Sequence, residues 1–235
     1  MEAAREPVTT AVLPPVVEIR AARPEDQVDI RRHFRATLLR GRSLPRSVGD
    51  LDAYESLCLD WYLRRGQALV AVEDGRVQGY LLACLDELEH RRWVRRRALR
   101  WALLMSWDAV LGRRRGDART FVWLRIRDAV HGWRQTPPAP FPAHAHVNLA
   151  PHLRSARIGP RLAAAMDDLA AAAGHDGWYG EMNVSAGRSF AALERLGVAV
   201  THRQPSRTFT WLEGTPIERV TLARPVRQPA GDTER

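Results

Sequence analysis

Arg154, Arg157 and Arg161 punctuate a run of small residues in Leu149-Ala-Pro-His-Leu-Arg154-Ser155-Ala156-Arg157-Ile158-Gly159-Pro160-Arg161. Guanidinium groups set among small residues, where backbone N–H groups stay accessible, are suited to binding an anion and above all a phosphate. Just upstream, His144 and His146 stand two residues apart, and downstream Glu181 lies within Trp178-Tyr-Gly-Glu-Met-Asn-Val184. Imidazoles that titrate near neutrality suit proton transfer. A carboxylate inside a largely apolar segment needs either a partner or a function. The histidine pair could equally pack or hydrogen-bond within a sheet. As zinc ligands the two lack a third partner nearby, so no metal is expected. Cys58 and Cys84 sit in apolar segments without a partner at metal spacing and read as buried free thiols. Asp86 and Glu87 read as the start of a helix.

These residues need elements to position them. A short strand over Ala145–Ala150 places His144 and His146 on one face by its period of two. It runs into the arginine-bearing turn, and a helix then opens near Gly159-Pro160 and carries Leu162, Ala165, Met166 and Leu169. Pro160 fits a first turn, where no intrahelical N–H bond is lost. The helix start adds partial positive charge, so strand, turn and helix form an anion cradle. The plainer alternative is an ordinary strand-to-helix connection in an arginine-rich chain.

Around this centre the pattern predicts a strand at 16–20, a helix from Arg23 with Ile30, Phe34, Leu38 and Leu39 inward, and a second helix capped by Asp50. Asp74-Gly75 between two apolar runs predicts a hairpin over 67–85, with Gly79 marking a bulge or a close backbone approach. Residues 86–142 read as a helical insertion closed by a Pro-rich linker. The insertion could cover a substrate or form a dimer contact, lie on a membrane surface, or be a solvated basic face. Beyond the helix ending near Gly174, a strand at 178–184, a helix at 185–196, and strands at 198–201, 208–212 and 219–222 are expected. Residues 1–14 form a loose arm, 15–224 a single domain, and 225–235 a tail without hydrophobic pattern.

With 235 residues and 45% hydrophobic content the chain can bury a core of its own. The absence of an apolar N-terminal segment, and of any long uncharged run, points to a cytoplasmic protein. The formal net charge is +9, yet the sequence contains no lysine, so all 36 basic residues are arginine. That bias looks like GC-rich coding and weakens the inference to nucleic acid or membrane. It still favours anionic ligands, including a phosphorylated cofactor.

The order of strands and helices resembles that of the GNAT superfamily of acyl-CoA-dependent N-acyltransferases. Leu149, Pro151 and Arg154-x-x-Arg157-x-Gly159 fall in the register of that family's strand, proline and phosphate-binding run, and Leu193-x-x-Leu196-Gly197-Val198 matches its later Leu-Gly-Phe helix end. Phe141-Pro-Ala-His-Ala-His-Val-Asn-Leu149 is similar to the branch that includes the acetyltransferase-like domain of O-GlcNAc hydrolases. The resemblance implies an α+β (α/β) fold: a mixed, mostly antiparallel twisted sheet flanked by helices, the helical insertion lying between the third and fourth strands. It also implies acetyl-CoA as acyl donor and an amine of a small molecule as acceptor. Backbone at Val147, Asn148 and Leu149 would meet the pantetheine arm. Residues Ser155, Ala156, Arg157, Ile158, Gly159 and Pro160 would hold the pyrophosphate with Arg154, while Asn183 and Ser189 would flank the arm. Arg157 stands where the family pattern has its first glycine. Leu193 stands where many relatives carry a tyrosine acid, so the thiolate's proton would come from water. For the base the residues offer Glu181, with His146 and His144 as further candidates. A second reading is a non-catalytic module that binds CoA or acts through its insertion on nucleic acid, membrane or protein. A homodimer through the insertion or the late strands fits either reading.

Overall fold

A computed structural model describes residues 17–38, 48, 51–135, 139–154, 158–194 and 197–226. The expected arm at 1–14, the cap Asp50, Leu39 and most of the expected tail lie outside the described residues. Seven strands form one sheet: β1 (Glu18–Ala21), β2 (Gln67–Glu73), β3 (Arg76–Cys84), β4 (Ala143–Leu149), β5 (Gly177–Ser185), β6 (Ala199–Pro205) and β7 (Ile217–Pro225). Their spatial order is β1-β2-β3-β4-β5-β7-β6, and every neighbouring pair is antiparallel except β4 with β5. This is the mixed, mostly antiparallel sheet expected.

Strand alternation divides the core in two. On one face Ala71, Leu81, Ala83, Ala143, Ala145 and Leu149 are covered by α5 (Ile158–Ala172). Ile158, Leu162, Met166 and Ala170 recur every fourth residue on that helix, and all four are buried. Asp167 ties α5 to the sheet, accepting from Trp178 Nε1 at 2.7 Å and from both Arg224 Nε and an Arg224 terminal nitrogen. On the opposite face Val70, Val72, Tyr80, Leu82 and Cys84 meet α1 (Asp26–Thr37) and α2 (Asp52–Arg65). The insertion forms α3 (Glu87–Val110) and α4 (Gly116–Gln135) between the third and fourth strands, and its Trp93, Trp101 and Phe121 join this second core. Leu99, Leu103, Leu104, Trp107 and Val110 of α3 point outward. Among the described residues no helix is long and apolar enough to cross a membrane.

The hairpin forms as its turn residues dictate, with Asp74 at φ 49° and Gly75 at φ 74°. Gly79 is a close approach: a Cβ there would lie 2.5 Å from Leu149 Cδ2, and the β2–β3 register shifts beside it.

Three late elements differ from expectation. Residues 208–212 are helical within α7 (Arg207–Glu213), because the buried Asp128 of α4 accepts from the N–H groups of Arg207 and Thr208 and from Thr208 Oγ1. A partner from a distant helix thus caps a segment whose local pattern reads as strand. The helix expected over 185–196 shrinks to α6 (Ala191–Glu194), since Ser185 still pairs with Ile217 and Gly187 adopts φ 75°. The tail starts later than 225: Pro225 pairs with Gly177, and Val226 N–H donates to Asp176 at 2.8 Å.

Because Asp128 serves three donors at once, Asp128→Ala is expected to cost about 1–3 kcal/mol of stability. Urea denaturation of the two chains measures it. A loss within error of zero would show that α7 holds its helix without this cap.

Candidate active site

The parallel contact of β4 with β5 consists of Ala143 with Trp178 and His144 with Tyr179, and ends there. Past this apex β5 continues along β7 while β4 continues along β3, so the two strands diverge. Ala150 N–H donates to Gln78 C=O at 2.8 Å, which fixes the alternation along β4. Asn148, His146 and His144 turn their backbone groups toward β3, and Ala145, Val147 and Leu149 turn theirs into the gap. Ala145 C=O indeed lies on the β5 side, 3.3 Å from where a Cβ on Gly180 would be. Val147 is 39% exposed. At the wide end of the gap stands a 3-10 turn (Pro151–Arg154) and then the N-terminus of α5. The geometry is an open strand edge leading to a helix start, whose unpaired N–H groups favour negative charge.

On the helical face of β4 the side chains of His144, His146 and Asn148 line up in the period-two row. Asn148 Nδ2 donates to Tyr80 Oη at 2.6 Å and lies 3.3 Å from His146 Nε2. His146 is enclosed by edge contacts with Phe34 and Tyr80, and burial, then the neighbouring His144, pushes its pKa down to about 4. His144 is 7% exposed; its Nε2 lies 2.6 Å from Tyr62 Oη, and its Nδ1 lies 2.5 Å from Glu87 Oε2. Neither His144 Nδ1 nor Glu87 Oε2 has a hydrogen-bond partner of suitable alignment, so the two meet in a close polar contact. Burial opposes the charge on Glu87, but His144 and Arg91 outweigh it and hold the carboxyl at about 2. The His90 ring lies tilted against His144 with centroids 4.6 Å apart, and burial pushes its pKa down to about 4.

No protein-family model matches the chain, and no curated protein matches it in sequence. Solved structures do match over nearly the whole length. SsHAT is 23% identical with a TM-score of 0.59, the match covering 91% of this chain and 100% of that one. Salmonella typhimurium yncA, solved with its cofactor acetyl-CoA, is 17% identical with a TM-score of 0.51, covering 92% and 96%. A variant of agmatine N-acetyltransferase is 16% identical with a TM-score of 0.51, covering 89% and 99%. The fold is that of the GNAT acetyltransferases.

Within this GNAT fold the sequence-derived residues fall in several places. Val147 and Leu149 present backbone to the gap, whereas Asn148 presents its backbone to β3. Ile158 is buried at the first turn of α5; Gly159 there is half-buried and has open space around it, and Pro160 is exposed. Arg154 Nε donates to Leu149 C=O at 3.2 Å, so this arginine braces the strand end at the gap's mouth. Arg161 turns away from the cradle and donates to Val17 C=O at 3.1 Å. Ser155, Ala156 and Arg157 lie outside the described residues. Glu181 shares the His144 face, but it is exposed and has its partner in Arg219 at 3.3 Å. Asn183 is half-buried on the same row, and exposed Ser189 accepts from Ala191 N–H at 3.3 Å.

Asp86 caps α3 as expected, accepting from Glu89 N–H at 2.8 Å. Glu87 begins that helix, as expected, and its side chain also reaches His144. The expectation that the histidine pair lacks a further ligand nearby fails, because Cys84, Glu87 and His90 converge on His144. Tyr62 and Tyr179 also border this group. The spacing Cys84-x2-Glu87-x2-His90 was the available signal. It was hidden because it crosses a strand end and a helix start.

His33 packs edge-on against Tyr80, and burial, then Arg154, lowers its pKa from 6.5 to about 4. The unfolded chain therefore binds the His33 proton first. This contribution to stability is complete above about pH 6.5 and is lost as pH falls toward 4. His33→Gln is expected to flatten that part of the stability–pH curve, measured by denaturation at several pH values. Parallel curves for the two chains would refute it.

Proposed function

We propose that this protein is an acyl-CoA-dependent N-acyltransferase that moves acetyl from acetyl-CoA to an amine of a small molecule by direct attack. The observation that carries the reading is the open β4 edge, with Ala145, Val147 and Leu149 facing the gap, ending at the N-terminus of α5. Pyrophosphate at the helix start, with Arg154 and the sequence-assigned run Ser155–Pro160 around it, directs the pantetheine arm along β4 toward the apex. The main-chain groups of Val147 and Leu149 would then pair with the arm's amides as an added strand does. A gap-facing N–H would also receive the developing oxyanion. Asn148 serves by fixing Tyr80 and His146, and Asn183 and Ser189 border the far wall.

The amine nitrogen attacks the thioester carbonyl carbon, the C–S bond breaks, the thiolate takes a proton from water, and the amine's proton passes to a base. Glu181 is the base in this reading, since it is exposed and stands on the β5 row that shares the His144 face. His146 is buried with a pKa of about 4 and would stay neutral. His144, whose ring nitrogens face Tyr62 and Glu87, positions the apex. Agmatine N-acetyltransferase among the structural neighbours supports an amine acceptor. Placement in the branch of the O-GlcNAc hydrolase acetyltransferase-like domain rests on the Phe141–Leu149 text alone.

Isothermal titration with acetyl-CoA tests the reading, and the expected outcome is one site per chain. Val147→Pro, which removes a gap-facing N–H and leaves the β3 ladder intact, should weaken binding at least about tenfold. Unchanged affinity would remove the strand-addition mode, and no binding by the parent chain would end the proposal.

Glu181→Gln should lower turnover of acetyl-CoA with an accepted amine by about 10²-fold while leaving acetyl-CoA affinity unchanged. Full activity in that variant would transfer the base role to water or to another group.

A further inference from the structure

Of the apex constellation only His144 has a part in the acyl-transfer reading, and that part is positional. Cys84, Glu87, His90 and His144 bring one ligand atom each to within 4.8 Å of one another. Their meeting follows from register and helix period. Cys84 ends β3 directly opposite His144 on β4, so the two side chains share a face. Two residues later Asp86 caps α3, which makes Glu87 its first residue and sets His90 three further along on the same side. Cys84 is 0% exposed and His144 7% exposed, which puts thiol and imidazole in a shielded pocket.

Two observations point past a simple His–Glu contact. His144 Nδ1 and Glu87 Oε2 face each other at 2.5 Å in poor hydrogen-bond alignment, and neither has another aligned partner. The outer side of the group is already braced. Tyr62 Oη holds His144 Nε2 at 2.6 Å, Arg91 Nε donates to the second Glu87 oxygen, and Trp61 packs edge-on against His90. With Tyr62 engaging Nε2, the other nitrogen of His144, Nδ1, points inward, where it can serve as a donor to a metal.

We propose that Cys84, Glu87, His90 and His144 bind one zinc ion as a closed four-ligand site. The donor set of one thiolate, two imidazoles and one carboxylate suits zinc and disfavours magnesium or calcium. Thiolate and carboxylate together cancel the 2+ charge, so the filled site adds no net charge to a buried pocket. Tetrahedral coordination requires ligand atoms about 3.3–3.6 Å apart. The contact of Glu87 with His144 opens by roughly 1 Å and the wider pairs close, within the reach of side-chain rotation. With all four positions taken by protein, the ion is structural. It pins the first turn of α3 to the ends of β3 and β4, at the point where the gap opens. This assignment is independent of the acyl-transfer reading.

The test uses the full chain, free of any histidine tag. Elemental analysis after dialysis against metal-free buffer should find one zinc per chain. Chelator-stripped protein, shown folded by circular dichroism, is then titrated with cobalt(II). One equivalent should give tetrahedral d–d bands and a thiolate-to-cobalt charge-transfer band. Cys84→Ser should abolish the charge-transfer band, and His90→Gln should weaken cobalt binding at least about tenfold. Should Cys84→Ser fail to fold, the parent chain's charge-transfer band still decides, because Cys58, the other cysteine, can be replaced separately without effect on it. Substoichiometric zinc together with no charge-transfer band in the folded parent chain would overturn the proposal, as would a band that survives in folded Cys84→Ser.

Discussion

β4 and β5 stay paired for two residues and then part, although a sheet gains most by keeping its ladders closed. Unpaired backbone groups inside a fold are expensive unless water or a ligand satisfies them. The gap persists here because each strand is held on its other side, β4 by six residues of β3 and β5 by nine of β7. The two half-sheets cannot slide together without breaking those ladders. Everything else is arranged around this opening: α5 begins at its wide end, the His144 group lies at its apex, and α1 to α4 cover one face.

The arginine excess reads differently once the helices are placed. Glu55 is 2% exposed and Asp60 5% exposed, and both lie in α2. Arg31 of α1 spans them, with one terminal nitrogen 2.9 Å from Glu55 and the other 2.7 Å from Asp60, while Arg35 and Arg97 add further contacts to the same acids. A planar guanidinium can reach two carboxylates at once, which a lysine ammonium on a single point cannot match. Several arginines thus lock α1, α2 and α3 into one layer over the slot. Their charge is spent internally, so the formal +9 overstates what the surface offers to a polyanion.

Local signals were strong wherever a short stretch determines its own geometry. Asp74-Gly75 gave its hairpin, and the recurrence of Leu162, Ala165, Met166 and Leu169 gave its helix. They failed where a distant residue intervenes. Residues 208–212 alternate like a strand, yet Asp128, some eighty positions earlier, caps them into α7. Arg161 read as a phosphate ligand by proximity in sequence, but the helix turns its side chain to Val17. Glu181 read as a carboxylate in need of a partner, and the neighbouring strand supplies Arg219.

The sequence by itself determined the order of elements as far as the fifth strand, the face shared by His144 and His146, and the strand–turn–helix passage from β4 into α5, since each depends on residues within one or two turns of chain. Only the tertiary structure decided which backbone groups face the gap, because that rests on the β3–β4 hydrogen-bond alternation. It alone brought Cys84, Glu87 and His90 to His144, because a strand pairing separated by some sixty residues sets that meeting. The opening stretch toward α5 was legible as a strand, a basic turn and a helix start. The buried group at the other end of the same strand became visible only when the strands were paired.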